Sequence, residues 1–112
     1  MLHWTFAHMS SLIPSERLRE TATLIAFEHP TPSHPVHILI VPKARYRTVL
    51  ELPAGASSFL SDLFDAVKSL VEELRLEEGG YRLVMNGGSN QEVKHLHFHL
   101  LSDRPNPVEK DR

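Results

Sequence analysis

Residues 95–102 read His-Leu-His-Phe-His-Leu-Leu-Ser, with three histidines alternating strictly with apolar residues. A period of two is that of an extended strand, so His95, His97 and His99 project to one side and Leu96, Phe98 and Leu100 to the other. Neighbouring side chains on one face lie about 6–7 Å apart, twice the rise per residue. The pattern demands a sheet with one face in an apolar core and the other turned to something polar. Three imidazoles in a row make a poor core surface, because each ring brings nitrogens that need partners. With 8 histidines in 112 residues, such a triple arises by chance in roughly 4% of comparable chains. The row therefore reads as a site. A metal-binding strand and a solvent-facing edge strand are the competing readings of the same residues. His95 and His99 would stand about 13 Å apart along one strand, too far to share an ion, although two of the three could ligate with help from elsewhere.

The remainder of the chain supplies the sheet. Thr21 to Phe27, within 19–28, is rich in β-formers, and three prolines in 29–35 end it. Val36 to Val41 is apolar except for His37, as a central strand would be. Residues 46–52 are expected to form a short third strand, Tyr81 to Asn86 a fourth, and 95–102 the histidine strand. Phe59, Leu60, Leu63, Val67, Leu70, Val71 and Leu74 fall at helical spacing. Ser57 or Ser58 is the expected cap, and Gly79-Gly80 the expected stop. Phe6, Met9 and Ile13 share one face of a short helix before Pro14. These elements predict an α+β domain, an antiparallel sheet of about five strands with one long helix and a short N-terminal helix packed on it. The expected extent is 1–103, followed by a polar tail at 104–112.

The totals restrict function. A net charge of −2 without a Lys/Arg cluster speaks against nucleic-acid binding. No apolar run approaches a membrane span, and no basic-then-apolar leader begins the chain, so a cytoplasmic protein without membrane contact is expected. The absence of cysteine excludes disulfides and thiolate chemistry and suits a reducing compartment.

The run His95-Leu-His97-Phe-His99-Leu-Leu101 resembles the signature of the histidine-triad nucleotide hydrolases and transferases. Pro35-Val36-His37-Ile38-Leu39-Ile40-Val41-Pro42, the segment 80–88 and Gln91-Glu92-Val93 resemble that family's preceding strands and loop, in the family's order. The resemblance spans roughly residues 4 to 102. It implies hydrolysis at the α-phosphate of a purine nucleoside phosphoramidate or dinucleoside polyphosphate through a nucleotidyl-histidine intermediate. His97 would be the nucleophile, with its Nδ1–H on the carbonyl of His95. His99 and His37 would hold phosphoryl oxygens or move protons, and the His95 ring would support the stack. Phe6, Met9 and Ile13 would form part of the base slot, and Phe27, His29, Asn86, Ser89 and Gln91 would complete the substrate site. The resemblance further implies a homodimer, with neither metal nor cofactor required.

Three residues or segments depart from the family pattern. Glu92 replaces a serine or threonine that donates to a phosphate oxygen, which would weaken activity, with Ser89 able to supply a hydroxyl instead. The loop from Asn86 to His95 is about two residues short, so that Asn90 can stand in for Asn86. His29 replaces an acidic or amide residue on the ribose hydroxyls. A nucleotide-binding or interaction module with weak chemistry is the alternative from another class. A metal-dependent His-x-His enzyme is the third.

Overall fold

The structure is a computed structural model and describes residues 16–105. The expected N-terminal helix, with Phe6, Met9 and Ile13, lies outside the described residues.

Five strands form one antiparallel sheet: β1 (Arg19–Glu20), β2 (Leu24–Glu28), β3 (Val36–Pro42), β4 (Arg82–Met85) and β5 (Phe98–Ser102). Their spatial order is β1-β2-β3-β5-β4, so β3 is central. All seven of its residues are buried, which explains its nearly unbroken apolar sequence. The expected 19–28 strand is a hairpin instead. Thr21 and Thr23 turn the chain between β1 and β2, and both hydroxyls donate to Asp62 on the helix, at 3.0 and 2.6 Å.

The long helix, α1 (Ser57–Glu73), lays Phe59, Leu63, Ala66, Val67, Leu70 and Val71 on one face of the sheet. There they meet Leu24, Ala26, Ile38, Ile40 and Leu100 in the main core. Leu60, expected on this stripe, is 40% exposed. The N-cap is Ala56, without a side-chain cap bond, so neither serine caps the helix. The helix also stops six residues before Gly79. Leu76 N–H donates to Val71 O at 2.9 Å and Arg75 N–H to Glu72 O at 3.2 Å, a Schellman pair. Arg75 takes the left-handed position at φ 58°, where glycine is usual. Burial of the next residue, Leu76, fully enclosed in the core, holds it there.

The opposite face of the sheet carries Ile25, Phe27, Leu39 and Val41 in a smaller buried cluster, with Val93 against it. His37 and His99 share this face by strand alternation.

Two expected strands differ. Residues 46–52 contain a 3₁₀ turn, Val49–Glu51. Thr48 Oγ1 accepts from Leu50 N–H and Glu51 from Arg47 N–H, so side chains take backbone donors a strand would need. The histidine strand begins only at Phe98. The register pairs Ile40 with Phe98, and the next rung would need an N–H from Pro42, which has none. Leu96 N–H instead donates to Tyr46 O at 2.7 Å. Residues 95–97 therefore approach the sheet as a loop, which changes where their rings point.

Candidate functional site

β3 and β5 place Leu39 opposite His99, which sets His37 diagonally beside His99 on the face away from the helix. His29 follows β2, and its backbone N–H donates to His37 O at 2.8 Å, holding the two rings together. His97 ends the loop that leads into β5. The rings form a chain: His97 to His99 at 5.0 Å between centroids, His99 to His37 at 5.1 Å, and His37 to His29 at 4.3 Å, stacked.

Backbone groups at both ends assign the tautomers. Ser33 N–H donates to His37 Nδ1 at 3.1 Å. In a neutral ring the proton of His37 is then on Nε2, which lies 2.8 Å from His99 Nδ1 and donates to it. His99 must carry its own proton on Nε2. That atom is buried and has no hydrogen-bond partner among the described residues. Separately, His97 Nδ1 is 2.6 Å from the carbonyl of His95 and must be the protonated nitrogen, leaving the lone pair on Nε2. Thr31 N–H donates to His29 Nδ1 at 3.0 Å, so that ring too bears its proton on Nε2.

Electrostatics keeps the cluster uncharged at neutral pH. Burial pushes His37 and His99 down to about 4, assisted by neighbouring rings that would repel a second positive charge. His29 and His97 are also lowered, chiefly by burial. The cluster thus offers oriented N–H dipoles and one lone pair rather than a positive field.

A cavity of about 430 Å³ opens on these rings. His29, His97 and His99 line it, as do Asn86 and Gln91, all five expected in the site. Among the described residues, the rest of its wall is Ser33, Leu39, Asn90, Glu92 and Val93. Ser33 and Leu39 were not legible as site residues. Leu39 shares the strand parity of His37, which would have found it. Ser33 has only its place four residues before His37 to mark it. Gln91 is buried, and its amide N–H groups donate to the carbonyls of Arg47 (2.7 Å) and Val93 (3.1 Å), which ties the loop to the turn before Val49.

Four expected positions are not part of this cavity wall: His37, which reaches it only through its 2.8 Å bond to His99, and His95, Ser89 and Phe27. The His95 ring is buried with Nε2 3.3 Å from the Pro42 carbonyl, so it does not form the row of three with His97 and His99; His29 and His37 extend the row instead. Residue 95 reaches the site through its carbonyl. Ser89 is exposed in the 3₁₀ turn Gly88–Asn90 and is not part of the cavity wall. Phe27 lies fully buried in the cluster with Leu39 and does not line this cavity. Among the described residues no three His, Asp or Glu side chains converge as a metal-ligand group.

An antiparallel sheet backed by one helix, with linked imidazoles on its other face beside a cavity of about 430 Å³, is the arrangement expected of the histidine-triad class of protein. The family model for the HIT domain matches residues 10–106. This chain belongs to the HIT family. It is 36% identical over 95 residues to the purine nucleoside phosphoramidase of Escherichia coli K12, an alignment covering 83% of this chain and 80% of that protein. Among solved structures it is similar to a histidine triad protein from Clostridium difficile, with a TM-score of 0.77, 32% identity and 91% of each chain covered. A HIT family hydrolase from Legionella pneumophila aligns with a TM-score of 0.78 and 35% identity, over 88% of this chain and 91% of that one.

Proposed function

We propose that this protein is a nucleotide hydrolase that cleaves purine nucleoside phosphoramidates at the α-phosphorus through a nucleotidyl intermediate on His97. The observation that supports this most is the 2.6 Å contact from His97 Nδ1 to the His95 carbonyl. It commits one nitrogen as a donor and leaves Nε2, on a ring that lines the cavity, as an unprotonated nucleophile. Burial lowers the affinity of this ring for a proton, so the lone pair is available at neutral pH.

Nε2 attacks phosphorus and the P–N bond to the amine breaks, the departing nitrogen taking one proton from water in the open cavity. Water then attacks the same phosphorus and gives a proton to the hydroxide left by the first step, the P–Nε2 bond breaks, and the ring regains its lone pair. The products are the nucleoside monophosphate and the free amine, with one water consumed. The buried Nε2–H of His99, oriented by the bond from His37, is a preorganised donor for a phosphoryl oxygen. The amides of Asn86 and Asn90 offer further donors from the loop. The relative named as a purine nucleoside phosphoramidase favours an amine leaving group, with dinucleoside polyphosphates as the alternative substrates. A homodimer is part of the proposal and is checked by sedimentation.

The decisive experiment incubates adenosine phosphoramidate with wild-type protein and His97→Ala, without added metal. The wild type should release the monophosphate and show, by mass spectrometry after an acid-free quench, one nucleotide monophosphate on His97. The variant should lose at least about 10³-fold in turnover while still binding nucleotide. Equal rates would exclude His97 as nucleophile.

A second reading, a binding module with feeble chemistry, has one observation in its favour: Glu92 lines the cavity as an exposed carboxylate. A carboxylate about 4 Å from a phosphate costs on the order of 1–4 kcal/mol between water-like and surface dielectrics. Glu92→Ser should therefore raise turnover.

A further inference from the structure

Glu92 has a further consequence for the choice of leaving group. Among the described residues lining the cavity it is the one acidic side chain; the remainder are imidazole rings, amides, one hydroxyl and two aliphatic side chains. His29, His97 and His99 do not balance it, because burial keeps them uncharged. No lysine or arginine stands among the described residues of the wall. The Lys94 ammonium lies 3.3 Å from the Gly88 carbonyl, the Arg47 guanidinium pairs with Glu51 at 3.0 Å, and neither lines the cavity. Glu92 has no ion-pair partner among the described residues.

The cavity wall is also divided by chemistry. Leu39 and Val93 give it apolar surface next to the sheet, whereas Asn86, Asn90 and Glu92 give it a polar side built from the loop. A nucleoside base suits the former and not the latter. The polar side is left for whatever is attached beyond the α-phosphorus. A second phosphate there would meet the Glu92 carboxylate with no cation beside it in the described wall, and a neutral alkyl group would gain nothing from it. A positively charged group would be attracted.

We infer that Glu92 is a specificity-determining residue that selects phosphoramidates whose leaving amine carries a second, cationic group, such as a diamine or a basic amino acid joined through nitrogen. This rests on the hydrolase reading above and alters none of its bond-making steps. The effect has a calculable size. Unit charges about 6 Å apart at effective dielectrics of about 40–80 favour the cationic substrate roughly 3- to 10-fold. Because the carboxylate is exposed, salt should erode that preference as the Debye length falls from about 10 Å at 0.1 M to about 3 Å at 1 M.

The test uses a matched pair of substrates, the adenosine 5′-phosphoramidates of 1,5-diaminopentane and of pentylamine, which differ in a terminal ammonium. In wild-type protein at low ionic strength, kcat/KM should favour the diamine derivative by about 3- to 10-fold. The ratio should fall to about 1 in Glu92→Gln, drop below 1 in Glu92→Lys, and shrink toward 1 in wild type at 1 M salt. A ratio unchanged in Glu92→Gln, with both substrates turned over, overturns the inference and leaves the hydrolase reading intact. If wild type turns over neither substrate, the hydrolase reading fails. The ratio of the two dissociation constants, measured by calorimetry in wild type and Glu92→Gln, then decides the role of Glu92 by the same criterion. Circular dichroism melts verify that the variants, changed only at an exposed loop position, are folded.

Discussion

Acid should unfold this protein earlier than its carboxylates alone would dictate, because the histidine cluster is built to be neutral. His37 and His99 have native values near 4, against an ordinary value of 6.5. Between those limits the unfolded chain binds more protons than the native one, so stability falls as pH falls from about 6.5 toward 4 and the slope vanishes below that. Each such group contributes a slope of about 1.4 kcal/mol per pH unit within the window. From pH 7 to 4.5 each ring then removes roughly 2 kcal/mol, and the two together about 4 kcal/mol, less whatever their mutual repulsion shares between them. That is a large fraction of the 5–15 kcal/mol typical of a domain. Glu20 and Glu51 are lowered by their Lys43 and Arg47 partners and act in the same direction, but only below their ordinary value of 4.5. The interval from 6.5 to 4.5 therefore belongs to the histidines. Urea denaturation followed by circular dichroism at pH 7.0, 6.0, 5.0 and 4.5, at one protein concentration, measures the slope. His37→Asn should reduce it by about one proton. An unfolding free energy equal at pH 7 and 4.5 would mean that these rings are charged or solvated in the native state, and the tautomer assignment built on their neutrality would collapse.

Other consequences follow from single contacts. His37→Asn removes the donor that orients His99 and should lower kcat about 10- to 100-fold with little change in KM, a split steady-state kinetics can resolve. His95→Phe deletes a ring but keeps the carbonyl that holds His97. It should cost about 1–2 kcal/mol of stability through the lost bond to Pro42, yet less than about 10-fold in turnover. Arg75→Gly relieves a left-handed residue at the end of α1 and should raise the urea midpoint, by about 0.5–1 kcal/mol in stability. Leu100→Ala, fully buried beneath the helix, should destabilise the fold by about 2–5 kcal/mol in the same assay.

The sheet was legible where burial alone decides the residues: β3 reads as central because every position from Val36 to Pro42 must be apolar or partnered. Its neighbours were less so. Thr48 and Glu51 are compatible with an extended strand by composition, and only their capture of the Leu50 and Arg47 amides makes a turn of 46–52. The helix end was misplaced for a related reason. Gly79-Gly80 is the stronger local stop signal, but the pull of Leu76 into the core forces Arg75 into the conformation a glycine would take more cheaply. Local propensity was outweighed by tertiary burial in one case and by side-chain hydrogen bonds in the other.

The site shows the same limit more sharply. Strict alternation put His95, His97 and His99 on one face, and alternation holds only while the ladder holds. Pro42 has no N–H to offer the rung opposite Leu96, so β5 starts at Phe98 and residue 95 leaves the row. Its ring goes to the Pro42 carbonyl while its own carbonyl turns to His97. His29, which no period marks, joins the row because its backbone is bonded to that of His37. The proton positions in turn are dictated from outside the rings, by the amide of Ser33 at one end and the carbonyl of His95 at the other. Four imidazoles of nearly equal intrinsic chemistry thereby acquire different roles. One of them presents a lone pair and another a buried N–H, and main-chain groups determine which is which.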